Sequence, residues 1–185
     1  DLLSGAQLSI TSGGSGGDGG DGGTVIVVVD GVINTEGENG VGILAQSLGN
    51  SGGNTSFAMS ANTLNAGSLS ATSSGNGGDG GSASTVTIDN GSAVTTLGNH
   101  ASAVIAQSLA GGGGNSTGSI SIDALTMSEM SVNVGGSGGE GGASEEVTVS
   151  NTGTLKTSGV SSYGILAQSV GGDGGNGGYA ITGGL

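Results

Sequence analysis

The chain lacks cysteine and proline altogether, has no arginine, and carries a single lysine, Lys156. Without cysteine there is neither a disulfide framework nor a thiolate metal site. The one lysine faces fourteen acids, for a formal net charge of −13. Nothing can neutralise a phosphate backbone, so nucleic acid is excluded as a partner. The basic face that holds a peripheral protein on anionic lipid is missing too. No apolar run reaches membrane-spanning length, so direct membrane insertion is not expected. Aromatic residues make up only 2% of the chain, as Phe57, Tyr163 and Tyr179. The large side chains that fill an ordinary core are therefore nearly absent.

In their place stand 46 glycines among 185 residues, several times the usual share of about 7%. Yet 32% of residues are hydrophobic, mostly Val, Ile, Leu and Ala in short clusters, which is too apolar for a simple disordered linker. Small cores stacked in a row fit this composition better than one large core. Aligning the chain with itself shows how they recur. Gln46, Gln107 and Gln168 stand 61 residues apart in Ala-Gln-Ser-Leu, Ala-Gln-Ser-Leu and Ala-Gln-Ser-Val. The same offset aligns Val25, Val86 and Val147, then Thr35, Thr96 and Thr157, then Gly37, Gly98 and Gly159, without a gap. The residues 1–185 thus form a single array of three tandem 61-residue repeats, at about 1–61, 62–122 and 123–183. A fourth begins at 184–185, with Leu185 at the repeat position of Leu2. Neither end reads as a cap, and the chain begins with Asp. The expectation is a window of a longer array, or one protomer of an end-to-end filament.

Each unit alternates strand and turn signals. Val147-Thr-Val-Ser-Asn-Thr-Gly reads as a half-buried strand ending on turn residues, and Leu155-Lys-Thr-Ser-Gly as a short second one. Tyr163-Gly-Ile-Leu-Ala-Gln-Ser-Val is nearly continuously apolar, which in a parallel sheet implies burial on both faces. Ser119-Ile-Ser-Ile-Asp and Met130-Ser-Val-Asn-Val alternate again. No helical stripe is found, and the glycine density makes helices costly. The pattern predicts an all-β fold, a parallel β-solenoid (β-helix) with Gly-rich tracts. Three rungs of about 20 residues, or two of about 30, fit one unit at the strand lengths usual for sheets.

Two Gly-rich tracts recur per unit, for example Gly13 to Gly23 and Gly49 to Asn54. Their Gly-Gly-X grammar matches the three residues per turn of a polyproline-II helix, although flexible surface loops would share the composition. Covering the second face of the Ile-Leu-Ala-Gln-Ser strand favours ordered packing. The acids Asp18, Asp79 and Glu140 sit singly at X. Calcium asks for six to eight oxygen ligands, so these acids read as outward and solubilising. Gly13-Gly-Ser-Gly-Gly-Asp-Gly opens like a calcium β-roll nonapeptide, but Gly20 stands where a large apolar residue belongs.

Chemistry is otherwise sparse. His100 is the only histidine, at a turn position where its counterparts are Asn39 and Ser161. Glu145 and Glu146 align with no acid pair elsewhere, and no phosphate loop ends the Gly tracts. The sequence therefore gives no catalytic, cofactor-binding or metal residue, and no enzyme or cofactor is expected. Gln46, Gln107 and Gln168 are read as structural amides, stacked on one another or bonded to Gly-tract carbonyls.

Residues 164 to 178, Gly-Ile-Leu-Ala-Gln-Ser-Val-Gly-Gly-Asp-Gly-Gly-Asn-Gly-Gly, resemble a repeat of the Gly-rich passengers of large bacterial autotransporters. The order Val-Thr-Val-X-Asn-X-Gly, Ile-X-Thr-X-Gly, Gly-Ile-X-Ala-Gln-Ser and a glycine run is followed from Val147 to Gly178, with Leu48 and Val104 as variants in the other units. The resemblance implies an exported, adhesin-like protein of the bacterial cell surface with a β-solenoid passenger. No receptor-binding residue carries over. The reading is an extracellular surface fibre segment that gives length and presentation, with self-association or covalent continuation into a filament, and an unidentified host or cell-surface ligand. The alternative is a ligand-binding β-roll module, dependent on calcium or presenting a Thr face from Thr35, Thr96 and Thr157. A polysaccharide-processing β-helix is disfavoured because no acid cluster breaks the period.

Overall fold

The computed structural model describes residues 7–64, 68–125 and 129–183; Leu2 and the start of a fourth unit at 184–185 lie outside them. All regular structure among the described residues is β, as fifteen strands in five parallel sheets of three strands each. After β1 (Gln7–Ser12) and a Gly-rich tract, the first unit runs through β2 (Val25–Val29), β3 (Ile33–Thr35) and β4 (Ile43–Leu48). A second tract leads to β5 (Thr55–Leu64) and β6 (Ser68–Ser74). The next unit repeats this as β7 (Val86–Asn90), β8 (Val94–Thr96), β9 (Val104–Leu109), β10 (Ser116–Leu125) and β11 (Glu129–Gly135). The last contributes β12 (Val147–Asn151), β13 (Leu155–Thr157), β14 (Ile165–Val170) and β15 (Ala180–Gly183).

Every sheet pairs a residue with its equivalent one repeat later. Val86 lies between Val25 and Val147, and Gln107 between Gln46 and Gln168. A whole 61-residue unit is therefore one rung, which corrects the expectation of two or three shorter rungs per unit. The reason is register. A strand slipped by one residue turns its apolar set outward, and only the 61-residue offset puts like on like in all five sheets at once.

The main core lies in the head of the rung, enclosed by β2, β3, β4 and their stacked equivalents. Val86 and Ile88 from β7, Val94 from β8, and Val104 and Ala106 from β9 are fully buried there. Alternation does the sorting: Asp89, between Ile88 and Asn90, points outward. Buried polar groups close the corners. Thr96 donates its hydroxyl to the Ala101 carbonyl across the turn, as Thr35 does to Gly40. The Asn90 amide donates to Asn151 Oδ1 at 2.6 Å and to the Ser92 carbonyl at 2.9 Å. Among the described residues, no buried side-chain N or O atom lacks a hydrogen-bond partner.

The apolar Ile-Leu-Ala-Gln-Ser run is buried on one face only. Ile43, Ala45 and Ser47 point inward, whereas Leu44 and Leu48 are about half exposed, at 54% and 51%. The Gly-rich tracts expected to cover that second face pack on each other instead. At the far end of the rung, the sheet of β5, β10 and β15 faces the sheet of β1, β6 and β11. Gly118 of β10 lies opposite Val134 of β11, and Ile120 and Ala71 are buried.

Candidate functional site

A polar lattice is built by the two Gly-rich tracts of each rung, with hydrogen bonds that recur from rung to rung. The tracts run antiparallel within a rung: Asn50 donates its N–H to the Gly20 carbonyl, and Gly53 to Gly17. Each tract before the head also reaches back to the rung below, with Gly78 donating to Gly53 and Gly81 to Asn50. These contacts recur every third residue, as three residues per turn require. The tracts are packed polyproline-II-like layers, not loops.

The Gly-Gly-X grammar now has a mechanical meaning. The first glycine of a triplet donates upward to the next rung: Gly16 to the Asn76 carbonyl, Gly19 to Asp79 and Gly80 to Glu140. The second donates to the opposite tract. The residue at X donates to the side chain of its own counterpart one rung below. Asp79 N–H reaches Asp18 Oδ1 at 2.9 Å, and Glu140 N–H reaches Asp79 Oδ1 at 2.8 Å. Asn54, Asn115 and Asn176 do the same at 2.7 and 2.8 Å. The acids at X, read from the sequence as outward and solubilising, are exposed but also accept main-chain hydrogen bonds. That role was missed in the sequence, although the recurrence of Asp, Asn and Ser at X was its signal, since each offers a short acceptor. Glycine is needed at the inward positions because a Cβ on Gly78 or Gly81 would overlap the carbonyl of Gly17 or Gly20 below.

The glutamines stack on one another in an outward ladder, one of the two arrangements their sequence setting allows. Gln46 Nε2 donates to Gln107 Oε1 at 2.5 Å, and Gln107 Nε2 to Gln168 Oε1 at 2.6 Å. The serine beside each glutamine turns inward. The Ser47 hydroxyl accepts the Ser84 N–H at 2.9 Å, and the Ser108 hydroxyl donates to the Ser84 carbonyl at 3.0 Å, tying β4 and β9 to the tract that enters β7. Thr35, Thr96 and Thr157, weighed as an outward Thr face, line the interior instead, Thr96 with no exposure. His100 shares a left-handed turn with Asn39 and Ser161, at φ values of 54, 58 and 54°. Asn is among the residues enriched in that conformation, as is His, so the turn accounts for the position.

Among the described residues, no group of three or more His, Asp or Glu side chains is placed to share a metal ion. A cleft of 50 Å³ opens where the tracts meet the far sheets, lined by Phe57, Gly75, Thr117 and Val134 among others. Small-molecule sites run to about 300–1,000 Å³, so this cleft has room for little more than water. What the arrangement can do is mechanical: join rungs. No family model, curated protein or solved structure matches the chain.

Proposed function

We propose that this chain is a structural, adhesin-like segment of an extracellular bacterial surface fibre, exported as the resemblance to Gly-rich autotransporter passengers implies. The observation that carries the reading is that strand pairing and ladder bonds join equivalent residues of successive rungs, Gln46 to Gln107 to Gln168 being one column. Such a structure grows by adding rungs and buries its core only by stacking. Its geometry favours presentation over reach. A rung adds only about 4.8 Å of height, while it spreads 61 residues sideways into faces that repeat in register. Those faces repeat Asn and Gln columns outward, Asn54 to Asn176 and Gln46 to Gln168, and would meet a host or cell-surface ligand many times over.

An antibody raised against residues 7–183 should label intact producing cells, and protease added outside should remove the label. Label confined to permeabilised cells would overturn the surface role. Beads coated with the chain should adhere to host cells or matrix better than beads coated with an equally acidic unrelated protein.

A further inference from the structure

We propose that the outward face of the sheet formed by β4, β9 and β14 pairs side by side with the same face of a second copy of this chain. The inference goes beyond the fibre reading and does not rest on it. It concerns the side of the stack, not its ends or its location.

The outward rows of that sheet are Leu44, Ile105 and Leu166, then Gln46, Gln107 and Gln168, then Leu48, Leu109 and Val170. Ile105, Gln107 and Leu109 remain partly exposed although a rung lies on either side of them. Their exposure belongs to the side of the array, and further rungs would not remove it. The outward rows of the other two head sheets change character from rung to rung. They read Ile26, Thr87 and Thr148, then Val28, Asp89 and Ser150, and Asn34, Thr95 and Lys156. Of the three head sheets, only this one keeps two apolar rows outward in every rung. Packing inside the chain asks for apolar residues on the inward side alone, where Ile43, Ala45, Val104 and Ala106 meet the core.

Charge narrows the partner. Each copy carries a net charge of −13, and two copies repel wherever their acids meet. Asp18, Asp21, Asp79 and Glu140 lie on the tract that enters the head, and Asp89 points outward from β7. A basic partner would be drawn to that side. By contrast, β4, β9 and β14 contain no charged residue. The tract that follows them adds a single acid, Asp173. This is the side on which an equally acidic copy can approach, and its apolar rows reward the approach.

Period selects the copy. The rows repeat at each rung, about every 4.8 Å, and a surface follows them row for row only if it has the same repeat. A two-fold axis along the stack, through the glutamine column, sets Gln107 on the Gln107 of the second copy. The same axis sets Ile105 on Leu109 and Leu109 on Ile105, so apolar column meets apolar column. The contact is isologous. Two sheets packed this way lie about 10 Å apart, as paired sheets carrying glutamine ladders do. The glutamine column does not obstruct it. A buried amide needs partners, and Gln107 already accepts from Gln46 and donates to Gln168. Three rungs make a face only about 14 Å high, below the roughly 800 Å² per partner of a stable complex. The 185-residue chain therefore pairs weakly and reversibly, and each added rung strengthens the contact. In dilute solution the face is free, so substitution there leaves folding alone and weakens only the pairing.

The test uses the purified 185-residue chain, whose lack of cysteine lets one introduced thiol report the contact. It is run in 0.15 M salt, where the Debye length is about 8 Å and the repulsion of acidic copies is screened. Gln107→Cys should be joined into a covalent dimer by a short bismaleimide. Thr87→Cys, outward on β7, should not. Copies stacked end to end would hold their Gln107 positions three rungs apart, about 14 Å, beyond such a linker. Sedimentation equilibrium of the unmodified chain should show a reversible dimer at high concentration. Ile105→Glu buries a carboxylate in each copy of the pair, and like charges across an interface cost several kcal/mol. It should weaken the dimer about a hundredfold or more and abolish the Gln107→Cys product, with circular dichroism unchanged. Leu109→Glu repeats the block should Ile105→Glu fold poorly. A chain that stays monomeric at every concentration overturns the proposal. So does equal cross-linking from Thr87→Cys, or a dimer that survives the folded glutamate variant. Absence from the cell surface would defeat the fibre role and leave these outcomes unchanged, so the two failures are distinguishable.

Discussion

Gly78 sits so close above Gly17 that a Cβ on Gly78 would overlap the Gly17 carbonyl oxygen. Both neighbours are backbone, held by the Gly53 and Gly78 hydrogen bonds across the tracts, so neither can swing away as a side chain would. Overpacking of this kind costs about 3 kcal/mol, and Gly78→Ala should lose about that much in urea unfolding. Gly23 is the control. Nothing lies within 4 Å of a Cβ there, and its counterparts are Ser84 and Glu145. Gly23→Ala should be neutral or gain about 0.4–1 kcal/mol by restricting the unfolded chain.

The two faces of the sheet formed by β4, β9 and β14 separate core from surface. Ile88 is fully buried in the head, whereas Ile105 lies on the outward row of Leu44 and Leu166. Ile88→Ala removes packed atoms and leaves a cavity, at a cost of about 3 kcal/mol. Ile105→Thr should change stability by no more than about 0.5 kcal/mol. Equal losses in thermal unfolding would mean that the outward face is covered after all.

That face shows where sequence reasoning reached its limit. Periodicity alone predicted the parallel β-solenoid, because Val25, Val86 and Val147 pair in the register their spacing implies. The 61-residue offset could not reveal the size of a rung, since two or three turns per unit would repeat with the same offset. Only the pairing of Thr55 with Ser116, rather than with a strand of its own unit, decides it. The apolar run Ile43 to Leu48 looked doubly buried because Leu44 and Leu48 carry no sign of exposure in their chemistry. The Gly-Gly-X period did point to packed polyproline-II-like layers. The acceptor role at X was hidden because Asp, Asn and Ser also suit a solvated turn.

Thr96 is the test of the buried polar corners. Its hydroxyl is fully buried and donates to the Ala101 carbonyl, with the turn residue His100 between them in the left-handed region. Thr96→Val keeps the shape and removes the donor. Leaving a carbonyl unsatisfied costs about 1–3 kcal/mol, so the midpoint of denaturation should fall with little change in slope. A variant as stable as the wild type would show that water replaces the hydroxyl.

The row Asp18, Asp79 and Glu140 is the one that the alternative reading would assign to calcium. Two of these carboxylates already accept the N–H of the rung above. The Asn54, Asn115 and Asn176 row performs the same task without charge. If the acceptor oxygen matters and the charge does not, Asp79→Asn should melt within about 2 °C of the wild type. It would also remove one like charge from a row stacked at about 4.8 Å, which opposes any loss. Asp79→Ala, which deletes the acceptor facing Glu140, should melt lower than Asp79→Asn. Chelator and millimolar calcium should leave the melting temperature of all three proteins unchanged. A ligand that binds only the folded state raises stability by about 2.7 kcal/mol at a hundredfold excess over its Kd. A calcium-dependent rise of several degrees, abolished by Asp79→Asn, would therefore identify the row as a cation site and displace its structural reading.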